Sequence, residues 1–273
     1  MQNTHRAEPA FLVALSIFEL IFHAAVRSIR KSHGNAIIGL MINIAQTLAL
    51  VLVFYVVFAF FGLRGAGLRG DFLLYLMTGV FLFMCHVKTL SAVVGSEGPT
   101  SPMMKHAPMN TIIAIGGAAL GELYVQVLSL FVILFLYHAI WTPLEVHQPA
   151  PAFAMLLVAW FAGLALGMVL LAVKPWAPNA VKLTTQVYTR FNMIASGKMF
   201  VANILPASFL PYFTWNPLFH LIDQARGFTF NDYNPFNTSL MYPIWFALVV
   251  ILVGLMGEFY TRRNVSVSRT ARQ

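Results

Sequence analysis

Charge is what this sequence has least of. Asp, Glu, Lys and Arg make up 10% of its 273 residues, against roughly 25% in an ordinary soluble domain. So little polar material cannot coat a water-exposed globule. Carboxylates are the scarcer half, nine in all, and no close pair of them suggests acid–base catalysis. The single cysteine, Cys85, lies in an apolar stretch, which excludes an internal disulfide and a cysteine-based zinc site. No Gly-x-x-x-x-Gly-Lys-[Ser/Thr] occurs, nor His-Glu-x-x-His, Gly-x-Ser-x-Gly or a dinucleotide fingerprint. The eight histidines show no metal-ligand spacing. Inverted repeats with broken helices, the mark of many secondary transporters, are missing as well. If such a chain moves a solute uphill, another polypeptide must supply the energy.

What fills the sequence instead is hydrocarbon: 59% hydrophobic residues, with 24 phenylalanines. In lipid only helices and closed barrels satisfy their own backbone groups, and barrel strands alternate polar and apolar residues over segments of about 10. Here the apolar runs exceed twenty residues, so the expected fold is an all-α polytopic membrane protein, a single domain over residues 1–273. A helix crosses hydrocarbon with about 20 apolar residues, which predicts six spans: Ala36–Phe61, Phe72–Val94, Thr111–Ile140, Phe153–Val173, Val181–Leu205 and Leu240–Tyr260. The third is long enough to tilt or kink, and Gly116, Gly117 and Gly121 are the places for it.

Lys and Arg in the flanks set the orientation. With both ends in the cytosol, the inner segments hold Arg6, Arg27, Arg30, Lys31, Lys105, Lys174, Lys182, Arg262, Arg263, Arg269 and Arg272; the outer loops hold Arg64, Arg69 and Arg226. Eleven against three places both termini inside. The formal charge of +8 is then a matter of topology, and no nucleic-acid partner is expected. Before the first span, residues 10–31 carry Phe11, Leu15, Phe18, Phe22, Ala25 and Ile29 at helical spacing, opposite Glu19, His23, Arg27 and Arg30. That pattern predicts an amphipathic helix in the membrane interface, stopped at Gly34. Glu19 and His23 interrupt the apolar region a signal peptide needs.

Two loops carry helix signals. In the cytosolic loop between spans two and three, Ser101 followed by Pro102 reads as a cap and first-turn proline, predicting a short helix over Pro102, Met103, Met104, Lys105 and His106. A docking element for a cytosolic motor and a plain surface turn both fit it. In the outer region, residues 206–239, Asn216 and Pro217 open a second helix by the same logic and Gly227 can close it. Leu218, Leu221, Ile222 and Ala225 form its apolar face, with His220, Asp223 and Arg226 polar. Asp223 and Arg226, three apart, are spaced to pair. Tyr212, Phe213, Trp215 and Phe219 suit the headgroup zone, so an interfacial or re-entrant hairpin is expected, with a lipid-facing anchor as the alternative.

Four ionisable residues fall within predicted spans, where such groups face a cavity or one another. At about 1.5 Å per residue, Glu122 lies roughly 17 Å and Arg190 roughly 14 Å from the cytosolic surface, depths that suit an ion pair across spans three and five. The alternative is a third span that starts later and leaves Glu122 nearer the interface. Lys198 lies further out, on broadly the same half of its helix as Arg190, with Tyr188, Phe191 and Phe200 nearby. Span five would thus present cations and rings to a passage, or simply pack its rings between helices. Lys88, with His86, sits near the cytosolic end of span two, where snorkelling explains it.

The stretch Trp-Asn-Pro-Leu-Phe-His-Leu-Ile-Asp-Gln-Ala-Arg-Gly from Trp215 to Gly227 is similar to the Asn-Pro-Leu-x-His segment of type 2 ABC exporter permeases. With Lys-Met-Phe-Val-Ala-Asn-Ile-Leu-Pro from Lys198 to Pro206, and with the order of interfacial helix, six spans and outer hairpin, it most resembles the capsular polysaccharide and O-antigen export branch. The resemblance implies a homodimer in the bacterial inner membrane, joined to two copies of a cytosolic ATPase that binds ATP and Mg. The short helix at Pro102–His106 would be the coupling helix, and the cargo a lipid-linked, often anionic glycan handed to periplasmic export components. No cofactor is implied for this chain, and no catalysis of its own. Exporters of a drug, haem, teichoic acid or O-antigen share the pattern and remain alternatives, as does a membrane-embedded glycan or lipid enzyme.

Overall fold

The computed structural model describes residues 10–33, 35–62, 70–98 and 111–270, and every regular element among them is helical. The amphipathic segment forms α1, Ala10–His33. Next comes α2, Ala36–Phe60, capped by Asn35, whose side-chain oxygen accepts from the Ile37 amide at 3.0 Å. Asp71 caps α3, Phe72–Gly95, in the same way, accepting from Leu73 and Leu74. The 30 residues of α4, Thr111–Ile140, follow, then α5, Pro149–Val173, with proline at its start. After α6, Pro178–Ala195, two 3-10 turns at Ala202–Ile204 and Leu210–Tyr212 lead to α7, Pro217–Thr229. The chain closes with α8, Met241–Thr270.

Five of these helices are long and apolar enough to cross a membrane: Ile37–Phe60, Phe72–Gly95, Thr111–Ile140, Pro149–Val173 and Met241–Asn264. They match five of the six expected spans, and the chain is a multi-pass membrane protein. The expected span Val181–Leu205 is not an unbroken apolar helix. Its 18 helical residues reach roughly 27 Å, short of a typical hydrocarbon core of about 30 Å, and include Lys182, Gln186, Arg190 and Asn192. The helix stops at Ser196 because Gly197 takes φ +71°, a left-handed conformation that costs glycine nothing. A side chain there would also strike the Phe219 ring, 2.5 Å from an ideal Cβ.

At the centre stands α3, the most thoroughly buried of the five, packed against α5, α4, α7 and α2, while α5 also backs onto α8. Small residues let these backbones approach, as they do between membrane helices generally. A Cβ on Gly163 of α5 would lie 2.4 Å from the His86 carbonyl of α3, and one on Gly254 of α8 would lie 2.8 Å from Met168. The glycines of α4 serve the same end. α4 is continuous, and Gly117 and Gly121 receive Ala24 and Ala25 of α1, with Ala24 Cβ only 2.5 Å from an ideal Cβ on Gly117. Outward, α2 and α8 present Leu52, Val53, Val56, Phe60, Val249 and Leu252, a surface suited to lipid tails.

Candidate functional site

The break after α6 leaves backbone carbonyls without helical partners inside the bundle. Unsatisfied polar groups are costly there, and α7 supplies what they need. Its N-terminus is fixed by Asn216, which accepts from the Leu218 amide at 3.0 Å and donates to Asn192 Oδ1 and the Ala195 carbonyl, both at 2.9 Å. Further along α7, Arg226, 0% exposed, donates to the carbonyls of Gly197 (2.8 Å), Phe200 (2.6 Å) and Lys198 (2.6 Å). Its guanidinium lies 4.1 Å from the centre of the Tyr75 ring. Asp223 holds the same segment from the other side: Oδ1 accepts from the Ala202 amide at 3.0 Å and the Tyr233 hydroxyl at 2.6 Å, and Oδ2 from Thr238 at 2.9 Å.

Two expectations change here. Among the described residues Asp223 and Arg226 form no ion pair; each is aimed at broken backbone instead, where its hydrogen bonds do more than a pairing across one helical turn. Nor is α7 an interfacial anchor with one wet side. Its apolar residues Leu218, Leu221, Ile222 and Ala225 are buried, and so are His220, Asp223 and Arg226, so the helix is inserted into protein. The helix also runs two residues past Gly227, whose missing side chain makes room for Pro235, 2.6 Å from an ideal Cβ. His220 is held in one neutral tautomer: Nε2 donates to the Thr214 carbonyl at 2.7 Å and Nδ1 accepts from the Ser239 amide at 2.9 Å. Burial lowers its pKa, outweighing the Thr214 carbonyl and Asp223.

The five residues expected to share a passage divide into two groups. Lys198, 1% exposed, donates to the Met193 carbonyl and sits 3.8 Å from the centre of the Phe83 ring. Phe200 packs on Phe213 and Phe219. The Tyr188 hydroxyl meets His86 Nε2 at 2.8 Å, and His86, fully buried, donates Nδ1–H to the Ala159 carbonyl at 3.0 Å. These three therefore serve the interior, and the helix break takes Lys198 out of register with Arg190. Arg190 and Phe191 instead lie on the open side of α6, where Phe191 stacks on exposed Trp215 with ring centres 5.5 Å apart.

That open side has an order that the single residues do not reveal. Lys182, Gln186 and Arg190 recur every four positions, flanked by exposed Leu183, Val187 and Ile194, so α6 carries a polar stripe beside an apolar one. Lys182 and Gln186 are missing from the sequence-level set, although their spacing from Arg190 is readable there. The expected pair of Glu122 and Arg190 is not formed within the chain. Glu122 accepts from Gln126 at 2.6 Å, in a network that runs on through Asn43 to Ser129. Arg190 is exposed on α6, which packs on α5 and α3. The residues Pro102–His106 lie outside those described. Among the described residues no group of three or more His, Cys, Asp or Glu is placed to hold a metal ion.

No family model matches the chain. Its likeness to known proteins is nonetheless nearly end to end. The chain is 24% identical over 253 residues to a polysialic acid transport protein, KpsM, of Escherichia coli, spanning 91% of this chain and 95% of that protein. The chain resembles a polysaccharide-export permease. A second Escherichia coli KpsM is 23% identical over 189 residues, covering 68% of this chain and 71% of its own length. The likeness to KpsM takes in the α6–α7 unit along with the spans, because a match of 91% leaves few residues outside it.

Proposed function

We propose that this chain is the permease subunit of an ATP-driven exporter that moves a lipid-linked, anionic capsular polysaccharide across the bacterial inner membrane. The observation that carries the reading is the near-complete coverage of the match to transport proteins for polysialic acid. The subunit is not an enzyme by itself; a partner ATPase binds ATP and Mg and hydrolyses the nucleotide.

In this reading the fifth crossing is composite. The stretch from Trp176 to Trp215 is tied to α8 at both ends, by Trp176 Nε1 to Thr261 at 3.3 Å and by the Tyr242 hydroxyl to the Trp215 carbonyl at 2.6 Å. Residues 242 and 261 of one helix stand roughly 28 Å apart, close to the hydrocarbon thickness. Hence α6 and the broken segment behind it traverse the bilayer together, which supports six crossings and two cytosolic termini. The Lys182–Gln186–Arg190 stripe is costly against lipid tails. It is accommodated where two copies of the chain face each other across a wet passage, with Arg190 toward anionic cargo and Phe191 and Trp215 offering rings to sugar faces.

The ATPase docks on the cytosolic loop at Pro102–His106, and periplasmic components receive the glycan. The test is co-purification of a candidate ATPase with the chain, followed by glycan export in a strain that lacks it. Loss of surface glycan, restored by the intact chain, is expected; normal surface glycan without the chain overturns the assignment. Met103→Asp, or charge reversal at Lys105, should cut ATPase association, and intact association would remove the docking element.

A further inference from the structure

Helix α6 carries polar side chains on both sides. Its inward side holds Val181, Thr185, Tyr188 and Asn192, while its open side sets Leu183, Val187 and Ile194 beside Lys182, Gln186 and Arg190. Lipid gives neighbouring helices no hydrophobic drive toward one another, so packing and hydrogen bonds decide how each is rotated about its axis. Several inward polar groups of α6 are turned back on their own helix. Thr185 donates to the Val181 carbonyl at 2.8 Å, Thr189 to that of Thr185 at 2.9 Å, and the Asn192 amide to that of Tyr188 at 3.1 Å. Such bonds leave the helix free to turn. Tyr188 differs, because its hydroxyl reaches another spanning helix, at His86 Nε2 of α3, 2.8 Å away.

His86 is itself fixed twice on one turn of α5. Its carbonyl stands against Gly163, where an ideal Cβ would lie only 2.4 Å from it. Its Nδ1–H donates to the carbonyl of Ala159, four residues earlier, at 3.0 Å. With Nδ1 donating, Nε2 of the neutral ring can only accept, so the Tyr188 hydroxyl must donate. Each residue of a helix advances about 100°, so Gln186 and Arg190, two residues to either side of Tyr188, both fall within roughly 20° of the opposite face. Lys182, six residues before Tyr188, falls about 60° from that face. Holding Tyr188 inward therefore turns the whole cationic stripe outward. Asn192 repeats the constraint at the end of the helix: it lies about 40° around the axis from Tyr188, and its Oδ1 accepts from Asn216 at 2.9 Å.

We propose that Tyr188 and His86 are positioning residues, which set the rotation of α6 and so aim Lys182, Gln186 and Arg190 at the passage and its anionic cargo. That the stripe meets cargo rests on the export reading; the rotation does not. The test places single cysteines on the full chain in membranes and measures their rate of labelling by a water-soluble maleimide. Cys85 is buried, and the chain without an added cysteine gives the background. Gln186→Cys and Arg190→Cys should label quickly, Val181→Cys and Thr185→Cys slowly. Adding Tyr188→Phe should narrow the ratio of outward to inward rates about fivefold, the population weight of one net hydrogen bond. His86→Gln, which keeps an acceptor for the hydroxyl, should hold the ratio. So should Phe191→Leu, which removes an outward ring. An unchanged ratio with Tyr188→Phe overturns the proposal. An equal rise at all four positions also overturns it, since Tyr188 would then only hold the helix folded, and so does an equal narrowing by Phe191→Leu. A narrowed ratio with undiminished glycan export leaves the positioning intact and counts against the stripe as a path for cargo.

Discussion

Arg226→Met separates the clamp on the broken segment from the exposed stripe of α6. The substitution removes three charge-assisted hydrogen bonds and leaves the carbonyls of Lys198 and Phe200 unpartnered in the interior, while that of Gly197 keeps only the Phe200 amide at 3.3 Å. Each orphaned buried group costs about 1–3 kcal/mol, but the guanidinium's own burial is costly and its removal offsets part of that sum. A net loss of about 3 kcal/mol follows. For a chain of this size each kcal/mol moves the unfolding midpoint by about 2–4 °C, so the midpoint should drop by about 6–12 °C. Size-exclusion fluorescence after heating, at one fixed heating time, reads this directly. Arg226→Lys keeps the charge but not the planar fork and should fall between. Arg190→Met, on the open side of α6, should change stability by no more than about 0.5 kcal/mol. Should Arg190→Met cost as much as Arg226→Met, or Arg226→Met cost nothing, the division between holding and exposed cations is wrong.

Three further outcomes follow from the same contacts. Asn216→Ala loses the α7 cap and its two donated bonds and should destabilise by about 1–2 kcal/mol, seen in the same heating assay. Gly163→Ala would drive a methyl into the His86 carbonyl; overpacking of about 1–3 kcal/mol should lower the yield of monodisperse protein, while an unchanged yield would mean that α3 and α5 separate freely. Because burial depresses the His220 pKa, the unfolded chain binds the proton more readily. Its contribution is therefore complete above the ordinary imidazole value of about 6.5 and declines below it. The midpoint should fall between pH 7.5 and pH 5.5, and His220→Asn should flatten that fall.

Hydrophobic length made α2, α3, α4, α5 and α8 legible, because a run of twenty apolar residues has one economical fate in lipid. Cap chemistry was equally direct: Asn216 before Pro217 marked the start of α7 correctly. The ends of elements were harder. Gly227 looks like a stop, yet a glycine inside a helix serves close approach just as well, and Pro235 occupies that space. The glycines of α4 are ambiguous in the same way, since spacing does not say whether a missing side chain bends a helix or admits a neighbour; here they admit α1. Most opaque was residue 197. Nothing local distinguishes Ser-Gly inside a span from Ser-Gly at its end, and that one left-handed residue decides which side chains face inward.

The fate of the intramembrane cations follows from that break. In an intact helix every carbonyl away from the last turn already accepts a bond from the turn above, so it offers a neighbouring Arg or Lys only its second lone pair. Arg190 lies on such a helix and stays exposed. Where the helix ends at Ser196, carbonyls are released, and Lys198 and Arg226 are drawn onto those of Met193, Gly197, Lys198 and Phe200. A broken crossing thus consumes the cations nearest to it and spares those on its unbroken half. Cationic residues available to an anionic passenger should therefore be sought on α6 before the break, rather than among the more deeply buried charges of α7.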